Sequence, residues 1–549
     1  MNQAKTSALV LGKIYQGQVT PHHTNKRKGY QFAAVLLALA LCIPAPRALA
    51  HGTTCYINGR WFNGQSFVEQ TVYVVEGVLR MHYAGKVDTT TDLQGKYVVA
   101  PFAEAHNHHF GEEVNFKQQL NTYIKQGIFY SKNTNGITKL AASVRPLVNL
   151  PESVDVLYAN GGLTATGGHP VQIFDLIANQ IGWERKAMEN QAYFIIDTEK
   201  DLESKWPMIL AGKPDFLKTY LEYCEEYEKR KNNPEFFGKR GLNPAMLAKI
   251  VVKAHKENLP VIAHINTAAD FRAAVNAGVD EITHLPLEKL TEADAREAAR
   301  RGMTVVTTTI SHRPIGQVQD IDGVHRHNIG LLKKAGVRLV IGTDDNNLTV
   351  INEAENLRRL AVFDNLGLLK LLTETTPQTL YPNRKIGYLK EGYEANFLAL
   401  EGNPLEDFAN IKKVAMRVKK GHVLEVAPEA PKLPSIANTL AHTLMGKGVA
   451  AAIAQYRQLK NEHPQDYDFS EKELNALGYQ MLKSGRLDDA LELFKLNVEM
   501  YPQGYNAYDS LAEAYMQKGE RELAIKNYKR SLELNPHNKN AVEMLKKLE

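Results

Sequence analysis

Apolar residues in this chain cluster into short runs separated by longer stretches with helical spacing. The runs fall at 97–100, 127–130, 154–158, 215–218, 260–264, 281–284, 303–306 and 337–341. Runs of this length bounded by turn residues predict buried strands. Helix punctuation lies between several of them. Asn243-Pro244 sets an N-cap before a proline at the first helical position. Thr267 and Thr291 each have an acid three residues on, Asp270 and Asp294, the spacing of a capping box. Gly278 and Gly302 sit where those helices must end. Eight strand–helix units over roughly 275 residues predict an α/β fold, a (β/α)8 TIM barrel over residues 97–384. No glycine-rich phosphate fingerprint follows the first run, which argues against a doubly wound sheet.

The flanks read differently. From 51 to 96 the pattern is short strands, with Asn58-Gly59 and Glu76-Gly77 as hairpin signals. Strands return at 388–389, 395–400, 414–418 and 422–424. One small composite β-sandwich built from 51–96 and 385–426 is predicted beside the barrel. Pro428, Pro431 and Pro434 mark a semi-rigid linker over 427–435. The tail, 436–549, repeats. Leu477, Gly485, Ala490, Leu493, Val498 and Pro502 return thirty-four residues later as Leu511, Gly519, Ala524, Asn527, Leu532 and Pro536. That period is the tetratricopeptide one. Ala452, Tyr456 and Pro464 suggest an earlier, degenerate copy at a spacing of thirty-eight. Such repeats suit a protein partner or self-association.

Composition adds little beyond an ordinary globular class. A net charge of +5 over 549 residues, with no basic stripe, implies no nucleic-acid partner. The N-terminus does add something. Lys26-Arg27-Lys28, an apolar stretch at 32–43, Pro44 and Pro46, and Ala48-Leu49-Ala50 have the order of a signal peptide with an extended n-region over 1–50. Export to a periplasmic or extracellular space is expected, with an uncleaved anchor as the alternative. Cys55 and Cys224 remain after cleavage, too few for a disulfide framework.

The chemistry gathers where the apolar runs end. His106 and His108 alternate after the first run, and residues i and i+2 of an extended chain face one side. Lys218 closes the fourth run, His264 the fifth and His284 the sixth, and Asp344 follows the eighth. Barrel enzymes place their chemistry at that end of the strands. Two glycine-rich turns, Asn160-Gly161-Gly162 and Thr166-Gly167-Gly168-His169-Pro170, follow the third run. His169 reads either as a substrate contact or as part of a structural turn. His312, after Thr307-Thr308-Thr309, is a further substrate-contact candidate. The basic segment 225–240 reads either as a carboxylate-binding loop or as a solvated helix face.

These motifs together resemble the amidohydrolase superfamily, in the branch related to imidazolonepropionase and metal-dependent dipeptidases. His106-Asn107-His108, Phe216-Leu217-Lys218, Ala263-His264, Thr283-His284 and Gly342-Thr343-Asp344 carry the resemblance. The chain departs from the family pattern at Phe102, Glu104 and Asn396, where Gly, Asp and Asp are usual. The resemblance implies two divalent metal ions, zinc by the ligand types, held by His106, His108 and Asp344 and by His264 and His284. It implies that Lys218 bridges them as a carboxylated lysine, the alternative being a free amine in a one-metal site. It further implies hydrolysis of a carbon–nitrogen bond in an N-acyl amino acid, cyclic amide or small peptide, with Asp344 as general base and acid. A deaminase, a lactonase, or a repeat-based binding module scaffolded by the barrel are the alternatives.

Overall fold

In the computed structural model the described residues are 52–113, 115–181, 184–311, 320–426, 433–536 and 538–548. The signal-peptide segment, most of the linker and His312 lie outside them. The chain divides into two compact units, 1–426 and 427–549.

The first unit holds a parallel barrel. Its strands are Phe102–Asn107, Ile128–Asn133, Asp155–Tyr158 continuing as Gly162–Thr164, Leu217–Tyr220, Val261–His264, Glu281–Thr283, Thr304–Val306 and Arg338–Val340. The third strand breaks at Asn160, which takes the left-handed φ of 61°. Its first half pairs with the second strand, and its second half with the fourth. Closure comes from Ala105 N–H to the Ile341 carbonyl at 2.9 Å and Asp344 N–H to the His106 carbonyl at 2.8 Å. Gly342 permits this approach, because a Cβ there would stand 2.7 Å from His106 N. The caps expected at Asn243, Thr267 and Thr291 all form. One large core of buried aliphatic and aromatic side chains fills the barrel and the space under its helices.

Several expectations need correcting. Residues 97–100 do not open the barrel. Tyr97–Val99 is a strand of the flanking sheet, paired with Thr54–Phe62 and Phe397–Leu400, and Pro101, which has no N–H to give, separates it from the barrel strand that follows. Asn58-Gly59 is not a hairpin. It lies inside Thr54–Phe62 as a bulge, with Asn58 at φ 55°. Gly162 is not in a loop but begins the second half of the third strand. Residues 388–389 form no strand; the returning strands are Phe397–Leu400, Val414–Lys419 and His422–Val423. Glu76-Gly77 does turn a hairpin, between Phe67–Val75 and Val78–Arg80.

Strands from both ends of this unit share one mixed sheet. It folds over so that Val78 bridges Glu394, next to the returning strands. Tyr56, Trp61, Val72, Leu79 and Phe397 are buried between its faces. Cys55 and Cys224 are both free thiols.

The second unit is a stack of helices: Ile436–Lys447 with Val449–Glu462, Glu471–Lys483 with Leu487–Met500, Tyr505–Lys518 with Arg521–Leu534, and Lys539–Leu548. The degenerate first copy is therefore a true helix pair. Ala452, Ala490 and Ala524 are fully buried at equivalent positions, as are Tyr456, Phe494 and Tyr528. Asn527, the mismatch in the repeat, is tolerated because its side-chain amide turns back and donates to the Leu523 carbonyl at 2.8 Å.

Candidate metal centre

His106 is fully buried on the first strand, and His108 follows just beyond its end. Both rings reach the same carboxylate oxygen. His106 Nε2 lies 3.2 Å and His108 Nε2 2.9 Å from Asp344 Oδ1. His284 Nε2 lies 3.8 Å from Asp344 Oδ2. The His106 and His284 rings are 4.8 Å apart, and the His284 and His264 rings 4.6 Å. His108 Nδ1 meets the Asn135 carbonyl at 3.1 Å, and His284 Nδ1 meets Thr308 Oγ1 at 2.9 Å. Each ring is thus oriented through one nitrogen, leaving the other for the site. His109 faces away, bonded to Tyr123 and to the Asn346 carbonyl.

The backbone at these strand ends is strained. His284, Thr308 and Asp344 have φ values of 81°, 42° and 55°. Non-glycine residues occupy that region at a cost, and such residues cluster where geometry serves function.

Lys218 is buried beside this cluster and donates to Thr283 Oγ1 at 2.8 Å. Burial pushes its amine down to about 7, although Asp344 and Glu281 pull the other way. Burial, then the Lys218 charge, drive His106 down to about 3, so its ring is neutral at pH 7. Burial works to raise the Asp344 carboxyl, but His106 and His284 hold it well below the usual range.

A second cluster lies on the other side of His264. His169 Nδ1 and His264 Nε2 are each 3.4 Å from Glu222 Oε1, and the two rings stack at 4.7 Å. Glu222 was not among the residues expected from sequence. Lys218, Tyr220 and Glu222 alternate along one extended stretch, so all three share a side. Reading that alternation past the end of the apolar run would have found it. Burial, then the charge of Asp270, push the Glu222 carboxyl well above its usual range.

The basic segment after the fourth strand spends its charge locally. Lys229 and Arg230 pair with Glu226. Arg240 donates to the Thr166, Arg230 and Asn233 carbonyls, and its own carbonyl accepts from His169 N–H at 2.8 Å. The segment therefore braces the loop that carries His169. A cavity of about 1230 Å³ lies elsewhere, at the opposite ends of the strands beside Lys132, Glu281 and Arg338.

The donor sets fit divalent cations. His106 Nδ1 is buried without a hydrogen-bond partner among the described residues. His106, His284 and Asp344 offer ligand atoms all within 4.8 Å of one another, and so do His169, Glu222 and His264. Neutral imidazoles with carboxylates suit zinc-like ions.

A TIM barrel with clustered histidines and an aspartate at its strand ends defines a class of metal-site proteins. The comparisons narrow it. The amidohydrolase family model matches residues 97–424, and the tetratricopeptide repeat model matches 505–538. The chain belongs to the amidohydrolase family. Ochratoxinase of Aspergillus niger is 28% identical over 215 residues, covering 36% of this chain. That similarity spans only 44% of the ochratoxinase. The crystal structure of A. niger ochratoxinase superposes with a TM-score of 0.54 at 18% identity, covering 68% of this chain and 95% of that one. A prolidase complexed with N-methylphosphonate-L-proline superposes with a TM-score of 0.53 at 18% identity, covering 68% and 99%.

Proposed function

We propose that this protein is a metal-dependent hydrolase of amide or peptide carbon–nitrogen bonds, acting on an N-acyl amino acid, cyclic amide or small peptide. The observation that carries the reading is the convergence of His106, His108 and His284 on the two oxygens of Asp344, inside a barrel of this family. Relatives named ochratoxinase and prolidase favour an amide substrate over the deaminase and lactonase alternatives.

His106, His108 and Asp344 would hold one ion, with His264 and His284 serving the second. Two zinc ions there would supply Lewis acidity toward the scissile carbonyl and activate water near neutral pH. Lys218 would join the two sides as a carbamate, formed when its neutral amine takes up CO2 and releases a proton. A free ammonium has three donors and no acceptor, so it is no ligand. Asp344, ionised at rest, would take a proton from the attacking water and return it to the leaving nitrogen. Thr308 and Asn135 keep the His284 and His108 rings aimed while this happens.

Export by the N-terminal segment would place the reaction in a periplasmic or extracellular space. The helical repeats would bind a protein partner or a second copy of the chain. The test is hydrolysis of a panel of N-acyl amino acids and dipeptides by protein with its metal content measured. Turnover that needs zinc-like ions and is lost in His264→Ala is the expected result. Metal-free protein, or a fully active His264→Ala variant, would sink the reading.

A further inference from the structure

We infer, resting on the proposed amide hydrolysis, that the Tyr220 hydroxyl donates a hydrogen bond to the scissile carbonyl oxygen as negative charge develops there. Tyr220 ends the fourth strand, Leu217–Tyr220, two residues after Lys218, so both side chains leave the strand on the same side. Its ring lies among the histidines of the site, 5.5 Å from the His264 ring and 5.2 Å from the His169 ring, and Lys218 Nζ stands 5.3 Å from its centre. Gly162 on the third strand makes the room, because a Cβ there would lie 2.5 Å from Tyr220 Cε2. The ring passes over that glycine, and its hydroxyl meets Asn135, just beyond the second strand. Asn135 Nδ2 donates to the Tyr220 oxygen at 2.5 Å, and the Asn135 backbone carbonyl is the group that holds His108. The phenol thus runs from the His264 side of the centre to the His108 side.

The hydrogen bonds leave a donor over. A phenol has one O–H to give and an oxygen that can accept. Tyr220 accepts from Asn135, and among the described residues nothing takes its own proton. The residue is 3% exposed, and a buried phenol O–H ordinarily has a partner. Asn135 Oδ1 is buried and unpartnered; turning the amide over would put N–H donors there instead, and an unmet buried donor is the rarer arrangement. Accepting from an amide also polarises the phenol O–H and strengthens it as a donor. The centre opens on this side. The His106 and His284 side chains are 1% exposed, whereas Asp344 and His108 keep 23% and 32%. Substrate therefore reaches the centre over His108, the residue that Asn135 holds. A fixed donor aimed at developing charge in a water-poor site lowers a barrier, because it needs no reorganisation at the moment of reaction. The proton stays on Tyr220 throughout, and no bond to the residue forms or breaks.

The test is Tyr220→Phe, which removes the hydroxyl and keeps the ring, in the zinc-loaded full chain. Turnover is read on the N-acyl amino acid or dipeptide that wild type hydrolyses fastest. Calorimetric binding of methylphosphonate, a tetrahedral oxyanion, gives a readout independent of turnover. Tyr220→Phe is expected to keep the zinc content of wild type by elemental analysis and to lose about 10²–10³-fold in kcat with KM little changed. Methylphosphonate should bind it at least about tenfold more weakly than wild type. A kcat within about threefold of wild type overturns the inference and leaves the proposed function standing. A raised KM at unchanged kcat also overturns it, by placing the hydroxyl on a part of the substrate that does not react. Lost zinc would do the same, since the hydroxyl would then act through Asn135 and His108. Asn135→Ala, which unfastens the hydroxyl, provides a second reading should Tyr220→Phe not fold, and wild-type kcat and methylphosphonate affinity in that variant count against the inference. A wild type inactive on every N-acyl amino acid and dipeptide removes both readings.

Discussion

Glu353 offers a test in which pH, stability and the site meet. It lies buried on the helix Val350–Arg359 and faces the end of the seventh strand. Its carboxylate accepts from Thr309 N–H and Oγ1, each at 2.8 Å, and from Ile310 N–H at 2.9 Å. The residue before Thr309 is Thr308, whose hydroxyl orients His284. Burial raises the Glu353 carboxyl from 4.5 to about 7, against the pull of those bonds. The folded state therefore holds the proton more tightly than the unfolded one. Its contribution to stability is fully present below about 4.5 and is lost as pH rises through about 7. At 1.36 kcal/mol per pH unit the loss is about 3 kcal/mol. Glu353→Gln stays neutral at every pH and keeps one accepting oxygen. Wild type should lose about 3 kcal/mol relative to the variant between pH about 4.5 and 8. All three tryptophans, Trp61, Trp183 and Trp206, precede residue 427, so fluorescence-detected urea unfolding follows the first unit alone. Parallel pH profiles for the two proteins would refute the reasoning. Glu353→Ala, which leaves two buried N–H groups unmet, should cost about 2–5 kcal/mol by the same assay.

Three further outcomes are expected. Chelation should abolish turnover and lower the melting temperature of the first unit, and zinc should restore both; an unchanged melting curve would speak against bound metal. Gly342→Ala places a methyl 2.7 Å from His106 N, so it should cost about 1–3 kcal/mol and reduce metal occupancy measured by elemental analysis. Lys419 is fully buried and bonds Asp155 Oδ1 at 2.7 Å and the Leu150 carbonyl at 2.9 Å, tying the flanking sheet to the third barrel strand. Lys419→Met should lower stability by about 3 kcal/mol, read by urea unfolding, with Arg384 still paired to Asp155 and limiting the loss.

The strands that carry the proposed ligands were legible because a barrel strand ends where an apolar run turns polar. His264, His284 and Lys218 are visible at such junctions, and the structure brings His284 and His264 within one ring contact of each other. What was not legible depended on pairing partners. The run at 97–100 is as apolar as any barrel strand, and only its neighbours, Thr54–Phe62 and Phe397–Leu400, assign it to the other sheet. Asn58-Gly59 supplies the positive φ that a hairpin needs, but a bulge needs it too. The break at Asn160 hid half of the third strand, because left-handed residues read as turns in sequence. In the tail the opposite holds. Helix pairing is local, so a thirty-four-residue period locates the buried Ala490 and Ala524 without knowledge of distant partners.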